Sequence, residues 1–289
     1  MTANSTYTKK RLIVRAVIAG EGSERVFDGF ATHVSIDKTA CPAMPRAKIS
    51  IKGLSVDTMA AMTRLGYEAY TKAKNVISIY AGEGNSLSLA FKGEMATAWA
   101  NFNSAPSIEF QIDAISGSYP NLIPQSPLSV QGQQPASEAI ETLSKQIGYS
   151  FENNGVTASI SNCVIKGDPI NKIKTIANMV GANVIIDNDT VVILPNGGIR
   201  NTKGTPSITG ENGMIGYPTF NEKGISLSCF YRPDIAIGGV ISVKSVVPRA
   251  SGLWIVTGLK HELSANDPGG SVWKTDIQAI FPQFGAPNG

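Results

Sequence analysis

Ser107-Ile108-Glu109-Phe110-Gln111-Ile112-Asp113-Ala114-Ile115 decides how this chain is read. Ile108, Phe110 and Ile112 fall on one face and Glu109, Gln111 and Asp113 on the other. That period-two alternation is the mark of a half-buried β-strand. The pattern recurs on both sides. Upstream, residues 12–36 read as strands, with Leu12–Val17 and Val26–Ile36 separated by a turn at Gly20–Ser23. Residues 46–52, 75–81 and 86–96 follow. Downstream, 225–229, 239–247, 253–263 and 271–281 alternate in the same way. One short helix interrupts the first region. Ser55 or Asp57 caps it, Val56, Met59, Ala60 and Met62 or Thr63 form its apolar face, and Gly66 suits its stop.

The two β regions echo each other. Val76-Ile77-Ser78-Ile79 matches Val240-Ile241-Ser242-Val243 at an offset of 164. Ile112–Ile115 matches Ile277–Ile280, and Gly93 matches Gly258, both at 165. Ile49-Ser50-Ile51 pairs with Ile225-Ser226-Leu227 at 176, a jump about as long as the helix at 55–66. Coincidence explains any single match of this kind. The shared order and spacing favour duplication of one unit, with the helix replaced in the second copy by a turn at Arg232-Pro233-Asp234.

Between the copies the period changes. Residues 116–135 hold three prolines within eight residues, which predicts an extended crossing segment. Pro135 then opens a helix with Ala136, Ala139, Ile140, Leu143 and Ile147 on one face, stopped by Gly148. A strand-like stretch runs from Val156 to Ile165. Asp168-Pro169 supplies an N-cap and an N1 proline for a second helix, faced by Ile170, Ile173, Ile176, Ala177 and Val180 and stopped by Gly181. Val184–Ile186 and Val191–Leu194 flank a hairpin turn at Asp187-Asn188-Asp189. The result is an αββαββ-like module, followed by a polar loop over 196–213.

The whole reads as mainly β with an α+β insert. The expected division is 1–127, a first β domain with its helix near 55–66; 128–195, a small α/β domain; and 196–289, a second β domain.

Composition narrows the function classes. The chain has 289 residues, 42% hydrophobic and only 16% charged, with 29 Gly and 16 Pro. That mixture suits a turn-rich β protein with a surface of small polar residues. A net charge of +3 is too weak a field to argue for nucleic-acid binding. Cys41, Cys163 and Cys229 are far apart and form no CxxC, so neither a zinc ribbon nor a disulfide framework is suggested. No apolar run is long enough for a transmembrane helix, and the opening residues carry no apolar signal core. Folding in a reducing cytoplasm, with buried free thiols, is the expectation.

Candidate chemical groups are sparse. His33 and His261 are the two histidines. His261 and Glu262 are neighbours on a strand and point to opposite faces, so they form no dyad. A solvent or loop-packing role is expected for His261 and a surface position for His33. Asp187-Asn188-Asp189 lacks the later Gly and Glu of a calcium loop. Gly82-Glu83-Gly84 and Gly197-Gly198 lack the Lys and helix of a phosphate loop. Glu138 and Glu141 read as solvated helix charges, and Lys9-Lys10-Arg11 as a solubilising start to a strand. Trp99, Phe102, Trp254 and Trp273 read as core or interface packing. No catalytic, metal-binding or cofactor-binding residue is assigned.

Three stretches carry a family resemblance. The first is Ala47–Leu54, the helix, Asn75–Gly82 and Ala90-Phe91-Lys92-Gly93-Glu94. The second is the central module, with Glu138-Ala139-Ile140, Gly148-Tyr149-Ser150-Phe151, Asp168-Pro169-Ile170 and Val191-Val192-Ile193. The third is Pro233–Val243, Gly252–Val256, His261-Glu262-Leu263 and Trp273-Lys274-Thr275. In pattern the chain resembles the baseplate or tail hub proteins of tailed bacteriophages, including Mu-like contractile-tail hubs. The resemblance implies two tube-like β-barrel domains plus the small α/β domain. It implies a homotrimer forming a pseudo-hexameric ring that joins a sixfold tail tube to a threefold spike. The implied partners are the tail tube or tube-initiator protein, the central spike, the tape measure protein and other baseplate proteins. DNA would pass through the channel without specific binding, and no membrane is involved. The implied location is the virion, after assembly in the host cytoplasm. The central module alone also resembles short modules at secretin N-termini, so a cell-envelope binding module is an alternative, and a cell-wall hydrolase a further one.

Overall fold

The computed structural model describes residues 9–19, 24–65, 75–118 and 126–282. β1 (Lys10–Val17), β2 (Glu24–Asp28), β3 (Ala31–Thr39) and β4 (Arg46–Lys52) lead to α1 (Val56–Met62), and β5 (Val76–Glu83), β6 (Ser86–Asn101) and β7 (Glu109–Ile115) follow it. The deciding stretch is β7, with Phe110, Ile112 and Ala114 buried and the residues between them half-exposed. The stretch read as one strand from Val26 to Ile36 is two, because Gly29 takes a positive φ of 83° and turns the chain between β2 and β3. Ser55 caps α1 by accepting a hydrogen bond from the Thr58 N–H, and Thr63 ends it. The expected stop at Gly66 and the turn at 20–23 lie outside the described residues.

The central segment contains β8 (Leu128–Pro135), α2 (Ala136–Gln146), β9 (Ser150–Asn153), β10 (Ser159–Ile165), α3 (Pro169–Met179), β11 (Ala182–Asp187) and β12 (Thr190–Pro195). β8 corrects the expected crossing segment in part: its residues form a strand paired with β10. Asp168 and Pro169 open α3 as expected, the Asp168 carboxylate accepting from the Asn171 N–H. β11 and β12 form the expected hairpin, and β9 pairs with β12 in parallel. Both faces of this hairpin are buried. Val184, Ile186, Val191 and Ile193 join the helices in one core, while Ile185, Val192 and Leu194 join the core of the following β region. Its near-continuous apolar sequence follows from that double burial.

The last region holds β13 (Ser207–Thr209), β14 (Met214–Phe220), β15 (Gly224–Phe230), β16 (Val240–Lys244), β17 (Gly252–Ala265) and β18 (Trp273–Ile280). The stretch 196–213, read as a polar loop, includes β13, which is held parallel to β16.

Both β regions share one 13-stranded sheet, whose main path runs β14-β15-β18-β17-β3-β4-β7-β6-β5-β1-β2. The two expected tube-like barrels are joined in one sheet here, and neither is closed by itself among the described residues. The path does not close among the described residues, and antiparallel pairing of β3 with β17 welds the regions together. Within each region the order is the same. The first contains β5-β6-β7-β4-β3 and the second β16-β17-β18-β15-β14. Glu94 lies opposite Ile115 as Ile255 lies opposite Ile280, and both long strands shift register at the same place, between Met95 and Thr97 and between Val256 and Gly258. Val76 lies opposite Glu94 as Val240 lies opposite Ile255. Ile49 lies opposite Ile112 as Leu227 lies opposite Ile277. The register therefore pairs Thr97, not Gly93, with Gly258, and Ile49 with Leu227 rather than Ile225.

Candidate interaction surfaces

The hairpin turn at Asp187-Asn188-Asp189 docks the central module onto the sheet. Lys38 on β3 reaches the Asp187 carboxylate at 2.9 Å, and Arg200 reaches its other oxygen at 3.0 Å. Arg200 also spans to Glu152 on β9 at 3.1 Å. Burial pushes the Asp187 carboxyl up, but the Lys38 and Arg200 charges and hydrogen bonds outweigh it and hold it at about 2. On the other side of the turn, the Lys92 N–H donates to the Asn188 side chain at 2.9 Å, and Lys92 Nζ pairs with Asp189. Ser116 Oγ donates to the backbone carbonyls of Lys92 and Asn188. Nearby, Tyr149 donates to Glu94 Oε1 at 3.4 Å, and Glu94 Oε2 accepts from the Ser118 N–H at 3.0 Å. Burial, then the Glu94 charge, raises the Tyr149 phenol above its ordinary range. The acidic turn is thus occupied by protein cations. Among the described residues no cluster of three or more His, Cys, Asp or Glu could hold a metal.

His261 departs from expectation. It is buried, not in solvent or a loop, because β17 is flanked by β18 on one side and β3 on the other. Its Nδ1 shares a 2.9 Å hydrogen bond with Thr275 Oγ1, and the Tyr231 ring packs edge-on 5.2 Å away. Burial first, then the Lys38 charge, lowers the imidazole to about 3. It is a neutral core residue. Glu262 points to the opposite face, where it accepts from Ser35 at 3.0 Å and meets half-exposed His33 at 3.4 Å and Lys260 at 2.7 Å.

The remaining candidates do not converge. Glu141 pairs with Lys145 on the surface of α2, and Glu138 is exposed in its first turn. Arg11 pairs with Asp28, and Lys10 lies over the Trp273 ring at 5.9 Å. Trp254 and Trp273 are buried, the first donating from Nε1 to the Ala250 carbonyl at 2.9 Å. Gly82–Gly84 closes the β5–β6 hairpin, and Gly197-Gly198 follows β12. Cys229 is buried, and burial raises its thiol to about 12, while Cys41 and Cys163 are only half-buried. A groove of about 450 Å³ runs past Asp37, Lys38, Tyr217, Lys260, Asp276 and Gln278. Its lysines are matched by carboxylates, so it presents no concentrated charge.

What does stand out is a strand that ends the sheet among the described residues. β14, with sequence Met-Ile-Gly-Tyr-Pro-Thr-Phe, ends the sheet without a charged residue, and Ile215, Tyr217 and Phe220 are exposed on it. Trp99 and Phe102 are exposed at the far end of β6. β14 carries no charge, but Pro218 and the register irregularity between Ile215 and Thr219 are themselves devices that blunt an edge. The sequence held the exposed aromatics, but not the topology that makes them edges.

Among known structures, the fold is similar to the 43 kDa tail protein of prophage MuSo2 from Shewanella oneidensis, with TM-score 0.65 and 9% identity over 97% of this chain and 100% of that one. It is similar to a tail protein from Neisseria meningitidis MC58, with TM-score 0.62 and 12% identity over 96% and 99%. It is also similar to the E. coli c3393 protein, a type VI secretion component with structural similarity to the T4 bacteriophage tail proteins gp27 and gp5. There the TM-score is 0.60, at 9% identity over 95% and 79%. At these identities the likeness is one of fold. No curated protein matches the sequence. The sequence profile of the family described as "Baseplate hub gp41" matches residues 13–269. The chain, a phage tail component of the virion, belongs to the baseplate hub gp41 family.

Proposed function

We propose that three copies of this chain form a pseudo-hexameric ring, which joins a sixfold tail tube to a threefold spike. One observation carries the reading: a single chain holds two five-stranded units with the same strand order, matching registers around the long strand and the same bulge in it, though β14–β15 has an irregularity that β3–β4 lacks. Internal duplication accounts for that identity, and three duplicated chains present six like units to the tube and three unlike pairs to the spike. Each tube-like barrel is then completed by its neighbours, in keeping with a sheet that stays open within one chain. The central module, at 128–195, is held by both units, to the first through the clamped hairpin turn and to the second through Ile185, Val192 and Leu194.

The conduit role rests on the face of the sheet opposite the core. There His33 and Ser35 of β3, Lys48 and Ser50 of β4, and Gln111 and Asp113 of β7 form a wet surface of mixed sign. Such a surface lets the tape measure and DNA slide without tight phosphate contacts. Tube, spike and tape measure proteins are the proposed partners, and assembly precedes incorporation into the virion. Two-dimensional class averages of the protein mixed with its tube and spike proteins should show rings of six like lobes. Particles without a ring, or with a lobe number not divisible by three, contradict the reading.

A further inference from the structure

We propose that the groove between α2 and β8 in the central module receives an acidic side chain from another protein chain, with the Lys172 ammonium as its counter-charge. The inference goes beyond the ring and does not depend on it. Lys172 stands near the start of α3 and is 1% exposed. A buried ammonium has three N–H donors to satisfy and a charge to neutralise. Its Nζ donates to the Ser126 carbonyl at 2.6 Å, and no carboxylate among the described residues pairs with it. The nearest acid in sequence, Asp168, is turned to the helix end, where it accepts from the backbone and side chain of Asn171. Residues 119–125, just before Ser126, contain no Asp or Glu. The positive end of α3 adds to the unbalanced charge instead of offsetting it. By contrast, Lys38 and Arg200, the cations that dock the hairpin turn, share the Asp187 carboxylate.

The groove is where that counter-charge fits. It measures about 400 Å³, and both Lys172 and its partner Ser126 line it. None of the described residues in its lining is acidic. Leu128, Ala139 and Leu143 give it apolar walls, and Gln134 and Gln146 bring amide N–H donors. Its size lies within the range of sites that enclose a ligand, and its apolar lining with a few polar groups is of the same kind. A carboxylate would take charge-assisted hydrogen bonds from Lys172 and further ones from the two amides. An acidic residue beside an apolar one, on an extended segment, satisfies the ammonium and the walls together. A free small anion satisfies the lysine and leaves the walls in water. A purely apolar segment covers the walls and leaves the ammonium unpaired. Charge complementarity therefore selects an acidic segment of a protein partner.

The test is selection from a random octapeptide library on the full-length protein, followed by calorimetric titration of the selected peptides. Selected sequences should carry Asp or Glu next to an apolar residue. Changing that acid to Asn or Gln should weaken binding at least tenfold, and so should K172M. Without peptide, the denaturant midpoint of K172M should equal or exceed that of the unsubstituted chain, because methionine fills the space without a buried charge. Q146E changes an exposed position on α2 and tests the site without touching the buried lysine. Its carboxylate should enter the groove and lower peptide affinity at least tenfold, with circular dichroism checking the fold. Acetate or phosphate binding as tightly as the peptides assigns the site to a free anion and overturns the protein partner. Peptides selected without an acid, or unaffected by K172M and Q146E, overturn the role of Lys172. No selected peptide, with a lower midpoint for K172M, makes the lysine a structural hydrogen bond and overturns the site. No selected peptide at any midpoint also overturns it. None of these results bears on the ring.

Discussion

His261 shows how far a residue's role depends on neighbours distant in sequence. On its own strand it reads as half-wet, and only the arrival of β3 on one side and β18 on the other buries it. Because its folded pKa is depressed to about 3, the unfolded chain takes up a proton below about 6.5 that the folded chain refuses. Stability is therefore insensitive to this group above pH 7 and falls as pH drops through 6.5 toward 3. At pH 5 the loss should be about 2 kcal/mol, measured by denaturant unfolding, and H261N should abolish that part of the pH dependence. Asp187 behaves likewise in a lower window. Held at about 2, it contributes stability fully above pH 4 and loses it as pH falls through 2. Removing Arg200, which is 11% exposed and bridges Asp187 and Glu152, leaves two half-buried carboxylates short of a cation. R200A should cost about 1–2 kcal/mol, between the values for exposed and buried pairs, and its unfolding midpoint should fall less steeply between pH 4 and 2 than that of the unsubstituted chain. The sequence identified Asp187 as part of a turn, and correctly so. It gave no sign of Lys38 or Arg200, because ion-pair partners carry no periodic signal.

Elements were readable where their determinants are local. Ser55, Asp168 with Pro169, and the glycines at 148 and 181 mark helix ends through chemistry confined to one turn. The strands were readable by alternation, but their partners were not. The repeat in the sequence matched Gly93 to Gly258 and Ile49 to Ile225, whereas the registers match Thr97 to Gly258 and Ile49 to Leu227. Those errors are four and two residues, and the evenness has a reason: an even slip keeps every side chain on its face, so the apolar pattern is blind to it. The motif glycines have a steric role. A Cβ at Gly82 would lie 1.9 Å from the Ser86 carbonyl oxygen across the β5–β6 hairpin. One at Gly93 would lie 2.7 Å from the Phe91 ring. G82V should therefore destabilise by at least about 2 kcal/mol, seen as a lower denaturant midpoint, because the obstructing atom is backbone and cannot rotate away.

At the scale of the molecule, the mainly β class and the helices at 136–146 and 169–179 were legible from period and composition, and the welded sheet was not. The pairing of β3 with β17 joins residues more than two hundred positions apart, and nothing local announces it. That weld turns two units of like strand order into one sheet whose main path has β14 at one end and β2 at the other. The low charge noted in the sequence fits a chain whose edges meet other chains. Family membership makes the protein a baseplate hub. On the proposed reading, the matching units let three chains meet both a sixfold and a threefold partner. Native mass spectrometry of the purified chain, alone and with its tube and spike proteins, tests that claim most directly. The account predicts a dominant species of three chain masses. A species that remains one chain mass in every mixture, or that settles at two or four, would contradict it.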